Sequence, residues 1–195
     1  MNTIYQASIA HAKSLYNGFY DVIHDWQHSE RVATNALLLA DELGFENKDF
    51  LELCALWHDA ARTQGFTIGH EEEGARMAQA DLLSRGASID EAARAYEAIR
   101  YHKSSSNPTS IEGKIIRDAD KLDIFTVARW QKCAKAGWIE EYVDDLRKTV
   151  AAHGKYPNAF TYDYTKQQFE KRLPEFLRYY DSVKSSLPEI RLHGL

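Results

Sequence analysis

The stretch Leu51-Glu52-Leu53-Cys54-Ala55-Leu56-Trp57-His58-Asp59-Ala60-Ala61-Arg62 decides how the rest of the chain is read. Leu51, Cys54, Ala55, His58, Asp59 and Arg62 recur at helical spacing and make one stripe. Leu53, Leu56, Trp57 and Ala60 make a second, apolar stripe, so this helix is greasy on most sides and belongs at the centre of a fold. A buried carboxylate without a partner is costly or is forced to protonate. Neighbouring side chains point ~100° apart on a helix, close enough for His58 and Asp59 to converge on one cation. The pair therefore reads as a metal site.

Helical spacing recurs along nearly the whole chain, whereas alternation of period two is never sustained. The spacing predicts a helix within residues 3–19 and a second from Trp26 to Leu43, with Asp25 as N-cap and Gly44 as the stop. His28 falls on the buried stripe His28, Val32, Ala36, Leu39, Leu43. The central helix is expected over Asn47–Arg62, a loop over Gly65–Gly69, and a further helix over His70–Leu83. Ser88-Ile-Asp-Glu91 has capping-box spacing and opens a helix to about His102. After a loop at Ser104–Pro108, Thr109-Ser-Ile-Glu112 repeats that spacing and predicts one long helix through Ile116, Asp120, Ile124, Val127 and Trp130. Asp120 sits within an apolar stripe, an odd place for a carboxylate that has no partner to satisfy it. Ile139–Ala152 reads as helix, His153–Tyr164 as loop, and Thr165-Lys-Gln-Gln168 as the start of a last helical region that Pro174 kinks or splits. The sum is an all-α single domain of roughly eight helices.

With 195 residues the chain is long enough for a full core, and 44% hydrophobic with 27% charged residues is an ordinary globular composition. A net charge of −5 and a pI near 5.9 argue against a nucleic acid polymer as partner, while leaving room for a local basic pocket for a small anion. Cys54 and Cys133 make no disulfide framework and read as buried thiols of a reducing compartment. Residues 1–20 show no leader pattern and no run is long enough to span a membrane, so a cytoplasmic protein without membrane attachment is expected. The oligomeric state stays open, a dimer included.

His28, His58, Asp59 and Asp120 share one property: each lies on the buried face of its helix. Two imidazoles and two carboxylates suit an octahedral divalent ion with open water positions. Mn²⁺ is favoured, and Fe²⁺, Co²⁺, Ni²⁺ or Mg²⁺ also fit better than a closed structural Zn²⁺. One ion is expected. An open position can activate water and another can polarise a phosphoryl oxygen.

His28 within Asp25-Trp-Gln-His-Ser-Glu-Arg-Val32, then His58-Asp59, then Asp118-Ala-Asp-Lys-Leu-Asp123 together resemble the H…HD…D signature of the HD-domain phosphohydrolase superfamily, closest to its small bacterial nucleotide-hydrolysing branch. The resemblance covers about residues 20–130. It implies an all-helical HD fold over residues 1–195 and assigns metal-ligand roles to His28, His58, Asp59 and Asp120. The last third, about 139–190, is left to shape the substrate pocket. His24-Asp25 reads as a decoy pair, with His24 outside the helix that Asp25 caps. His70 and His102 stand at helix ends where superfamily members hold a second metal or contact phosphate; here both are expected to face the phosphates or the leaving group, with Asp59, as catalytic residues. Arg62, Lys103 and Lys121 are candidate substrate-binding cations. Asp123 is placed to orient Lys121 or a bound water, or to form a salt bridge. His11, His153 and His193 read as surface residues, and the aromatic series from Tyr162 to Tyr180 as core and lid packing. The expected activity is metal-dependent hydrolysis of a phosphoester or phosphoanhydride bond in a nucleotide or similar small phosphate. Two rivals are a nucleotide-sensing module with little turnover and a di-iron oxygenase that takes His70 and His102 as extra ligands.

Overall fold

The structure, a computed structural model, describes residues 2–103 and 105–188. Three helices begin where a short polar side chain accepts the backbone N–H three residues on: Asp25 from His28, Ser88 from Glu91, and Ser110 from Gly113. The described residues form nine α-helices: α1 (Thr3–Leu15), α2 (Trp26–Leu43), α3 (Lys48–Trp57), α4 (His70–Ser84), α5 (Ile89–Arg100), α6 (Ile111–Asp123), α7 (Val127–Ala136), α8 (Glu140–Ala152) and α9 (Asp163–Val183). Two short 3-10 helices, Ala60–Gln64 and His153–Ala159, complete the order. The Ser88 capping box is complete, with Glu91 returning a bond to the Ser88 N–H. Gly44 closes α2 at φ 64°.

α3 is the axis of the bundle. It packs against α1, α2, α4, α5 and α6, and Phe50, Leu51, Leu53, Cys54, Ala55 and Trp57 are all fully buried. A second apolar cluster joins Ile23, Leu122, Phe125, Trp130, Val143, Leu146, Phe169 and Phe176, and seats α7, α8 and α9 beside the first. Tyr162 and Tyr164 pack on the first cluster, and Tyr179 and Tyr180 on the second. Cys54 and Cys133 are buried and free.

Five features of the helix layout differ from the sequence expectation. The central helix stops at Trp57 instead of running to Arg62. The His58 Nδ1 takes up the Ala55 carbonyl at 2.6 Å, Asp59 leaves helical geometry at φ −108° and ψ 7°, and the chain tightens into the 3-10 turn. Gly74 of α4 fits against the carbonyls so exposed; a Cβ there would lie 3.3 Å from the His58 carbonyl oxygen. The expected helix through Asp120 and Trp130 is two helices, α6 and α7, divided at Ile124–Thr126. There the Trp130 indole donates to the Ile124 carbonyl at 2.8 Å and Phe125 turns into the second cluster. α6 is capped by Ser110, while the Thr109 hydroxyl donates to Glu97 instead. Pro174 neither ends nor divides α9, because Phe169 and Phe176 bury both flanking turns and offset the missing N–H. The segment expected as a loop after α8 opens as the 3-10 helix at His153. Ser104 and His193 lie outside the described residues.

Candidate active site

Four side chains from α2, the end of α3 and α6 converge at the bundle centre. The His28 and His58 Nε2 atoms face each other at 3.2 Å. Asp59 Oδ2 lies 3.7 Å from the first and 3.6 Å from the second, and Asp120 Oδ1 lies 3.3 and 4.0 Å from them. Ligands about 2.1 Å from an octahedral ion and at right angles stand about 3.0 Å apart, so this spacing needs little adjustment to close on a cation. The tautomers strengthen the point. His58 gives its Nδ1 hydrogen to the Ala55 carbonyl, and His28 gives its own to Asp123 Oδ2 at 2.8 Å. Both Nε2 lone pairs are thereby aimed at one another, an arrangement that a bound cation stabilises. The residues present fit a divalent metal.

Burial depresses the His58 imidazole to about 4, which keeps it neutral and able to ligate. Burial acts the same way on His28, but the carboxylates of Asp120 and Asp123 more than offset it and raise that ring. Burial alone would push the Asp59 carboxyl up; His58, His70 and Arg62 around it hold it well below the usual carboxylate range. Asp120 is likewise held low by His28 and His58 against its burial. Asp123 does not orient Lys121. It is fully buried, accepts from His28, and receives Arg31 on both oxygens at 2.7 and 3.0 Å. That is how a carboxylate stands behind an imidazole able to ligate a metal.

The other oxygen of Asp59 faces a second pair of imidazoles. His70 Nε2 is 3.2 Å and His102 Nε2 is 3.7 Å from Asp59 Oδ1. Their Nδ1 atoms are spent on the Thr67 and Ile99 carbonyls at 3.1 and 2.7 Å, so both Nε2 atoms are directed inward. His58, Asp59 and His102 also meet the spacing of a metal-holding group. Arg62 enters this space from the 3-10 turn. Its Nε lies 2.9 Å from Asp59 Oδ1 and its Nη2 lies 3.2 Å from His70 Nε2, which puts a guanidinium beside the oxygen a second ion would use.

These groups line an open cleft of about 330 Å³ together with Lys103, Asp120, His24 and Arg129. Lys103 stands at its rim, 3.0 Å from Glu71. Lys121 does not join the cleft: it is buried on another face of α6, where its Nζ donates to the Ala159 carbonyl at 2.8 Å. His24 and Arg129 are the residues the sequence did not yield. His24 does lie before α2, but Asp21 holds its Nδ1 at 2.9 Å and its ring lines the cleft beside His28. The signal available was Asp21 three residues before it. Arg129 comes from α7, and only the turn at Ile124–Thr126 brings its Nη1 to 3.3 Å from Asp123 and 3.1 Å from His28. His11, half exposed, meets Asp81 at 2.7 Å, and His153 is partly buried with its Nδ1 on the Val150 carbonyl.

A helical bundle with a mixed imidazole–carboxylate centre on the turn after its central helix defines a class of metal-dependent hydrolases. The chain belongs to the HD domain family, whose sequence profile matches residues 25–124. No curated protein sequence matches it. Among solved structures it is similar to a predicted HD superfamily hydrolase from an uncultured Thermotogales bacterium, at 26% identity and TM-score 0.68 over 93% of this chain and 91% of that one. Its fold is shared by Bacillus subtilis YpgQ in complex with ADP, at 22% identity and TM-score 0.67 over 96% of each chain. A Lactobacillus plantarum protein also shares it, at 17% identity and TM-score 0.71 over 95% of this chain and 97% of that one. No helix among the described residues is long and apolar enough to cross a membrane.

Proposed function

We propose that this protein is a metal-dependent phosphohydrolase that cleaves a phosphoester or phosphoanhydride bond of a nucleotide or similar small phosphate. The observation that carries the reading is the pair of opposed Nε2 atoms flanked by Asp59 and Asp120, two carboxylates that also line a cleft with Arg62, Lys103 and Arg129. His28, His58, Asp59 and Asp120 would hold a divalent ion, Mn²⁺ favoured, which would supply Lewis acidity to a phosphoryl group and a lowered pKa to water. The residues around it do the rest. Arg62 and Lys103 bind phosphate oxygens, Arg62 exchanging part of its contact with Asp59 for the substrate. His70 and His102 present Nε2 to the reacting group as hydrogen-bonding and proton-carrying side chains. Asp123 and the Ala55 carbonyl keep the two ligating rings in the metal-binding tautomer. The ADP found in the YpgQ structure is consistent with a nucleotide ligand for this fold.

A single ion is proposed, because the guanidinium of Arg62 supplies positive charge between Asp59 Oδ1 and His70. The test is release of phosphate or pyrophosphate from a nucleotide panel with Mn²⁺, Mg²⁺, Co²⁺ and Ni²⁺, beside metal content by mass spectrometry. Hydrolysis with one ion per chain is expected, and Asp59→Asn should lose both ion and activity. A metal-loaded protein that releases nothing from the panel overturns the hydrolase in favour of a sensor. Two iron ions with oxygen consumption would establish the oxygenase.

A further inference from the structure

The cleft does not end at the metal centre. His24 and Arg62 form a wall common to it and to a second chamber of about 430 Å³, large enough for one ring system and a sugar. The outer chamber is built by residues 19–24 ahead of α2, by the segment after the 3-10 turn, and by residues 136–145 at the junction of α7 and α8. Its first and last parts lie outside the 25–124 span matched by the family profile. The two spaces differ in charge. Arg62, Lys103 and Arg129 line the inner cleft, where the proposed cation would take up Asp59 and Asp120. In the outer chamber the carboxylates of Asp21, Glu141 and Asp145 face one arginine, and that arginine is Arg62 at the neck. A polyanion is repelled there, whereas hydroxyl and amino donors find acceptors. Aromatic surface is also present. Tyr20 is 82% exposed beside the opening, and Tyr142 lines the chamber next to Val22. An exposed tyrosine of that size has no packing role and offers a face for a heteroaromatic ring.

We propose that the outer chamber seats the nucleoside part of the substrate, its base against Tyr20 and Tyr142 and its hydroxyl or amino groups on Asp21 and Asp145, while the phosphates pass the neck at His24 and Arg62 into the metal cleft. The proposal rests on the phosphohydrolase reading above for the direction of the phosphates. It makes the C-terminal helical region a determinant of which substrate is taken. It also accounts for His24, whose ring, fixed by Asp21, borders the point where the organic part joins the phosphate chain.

Two measurements test it with the full-length protein. In the first, kcat/KM for ATP and the other nucleoside triphosphates is compared with that for inorganic tripolyphosphate, with Mn²⁺ present. In Tyr20→Ala and Asp145→Asn, both at accessible positions, the ratio should fall about tenfold or more. The second measures binding of adenosine, guanosine, cytidine and uridine by saturation-transfer NMR. Saturable binding of at least one nucleoside is expected in the wild type and should weaken in both variants. Unchanged ratios in folded variants, with no nucleoside binding to the wild type, overturn the proposal. If neither ATP nor tripolyphosphate is hydrolysed, the phosphohydrolase reading fails separately. Nucleoside binding then decides the chamber alone: weakened binding in the variants sustains it and absent binding sinks it.

Discussion

His28 shows how much of this site depends on groups that never touch an ion. Its Nε2 points at His58 because Asp123 takes the hydrogen on its other nitrogen, and Arg31 and Arg129 hold Asp123 in place. Asp123→Asn keeps the shape but offers either an amide donor or a weaker acceptor to that ring. Metal affinity should fall about 10–100-fold, read by calorimetric titration of Mn²⁺; equal affinity in variant and wild type would leave Asp123 a purely structural ion-pair partner. Arg62 is a different case, since it touches Asp59 and also faces both chambers. Arg62→Ala should lower kcat/KM about tenfold or more, about 1.5–3 kcal/mol for a charge-assisted hydrogen bond. Unchanged kinetics with a lowered melting temperature would make it a salt-bridge residue only.

At the scale of the element, the helix ends do most of the work of placing chemistry. His58 caps the end of α3 and Asp59 the start of the 3-10 helix, so the tighter winding turns Asp59 toward both imidazole pairs. His70 begins α4 and His102 follows α5, each ring tied to a carbonyl three residues back. The close approach of α6 to its own entry loop has a single-residue basis. At Gly113 a Cβ would stand 2.9 Å from Pro108 Cβ and 3.0 Å from Ser110 Oγ, which is also the capping atom. Gly113→Ala should therefore lower stability by about 1–3 kcal/mol through overpacking while leaving the metal stoichiometry as it was. A variant as stable as the wild type in urea unfolding would show that the loop yields without strain.

For the whole molecule, the C-terminal helices are joined to the core that carries His28, His58, Asp59 and Asp120 by buried polar contacts as well as by the second apolar cluster. Asp118 accepts the Thr161 and Tyr162 N–H groups, and Lys121 donates to the Ala159 carbonyl. Burial lowers the Lys121 amine to about 8, below the ordinary value near 10.5. Between those two values the unfolded chain holds a proton that the folded chain has released, so stability rises with pH across that window. Relative to Lys121→Met, the wild type should gain about 1–2 kcal/mol between pH 7.5 and 9.5, measured by urea unfolding. Parallel stability curves would mean that the amine stays charged in its buried position.

The all-helical class, the Asp25 and Ser88 caps, the Gly44 stop and the meeting of His28, His58, Asp59 and Asp120 at one point were legible in the chain itself. Each depends on local spacing or on a side chain acting within one turn, and an ionisable residue on an apolar stripe marks itself. The helix breaks after Trp57 and Asp123 were not legible. At the first, His58 bonds back to the Ala55 carbonyl, and at the second Trp130 reaches the Ile124 carbonyl inside the break, a choice that packing decides and propensity does not. The same limit hid His24 and Arg129, which the chain brings to the cleft from a segment ahead of α2 and from beyond the break. It also misplaced Lys121, whose neighbour Asp120 points to the cleft while the amine points away. Periodicity assigns a residue to a face; which partner occupies that face is set only when the helices pack.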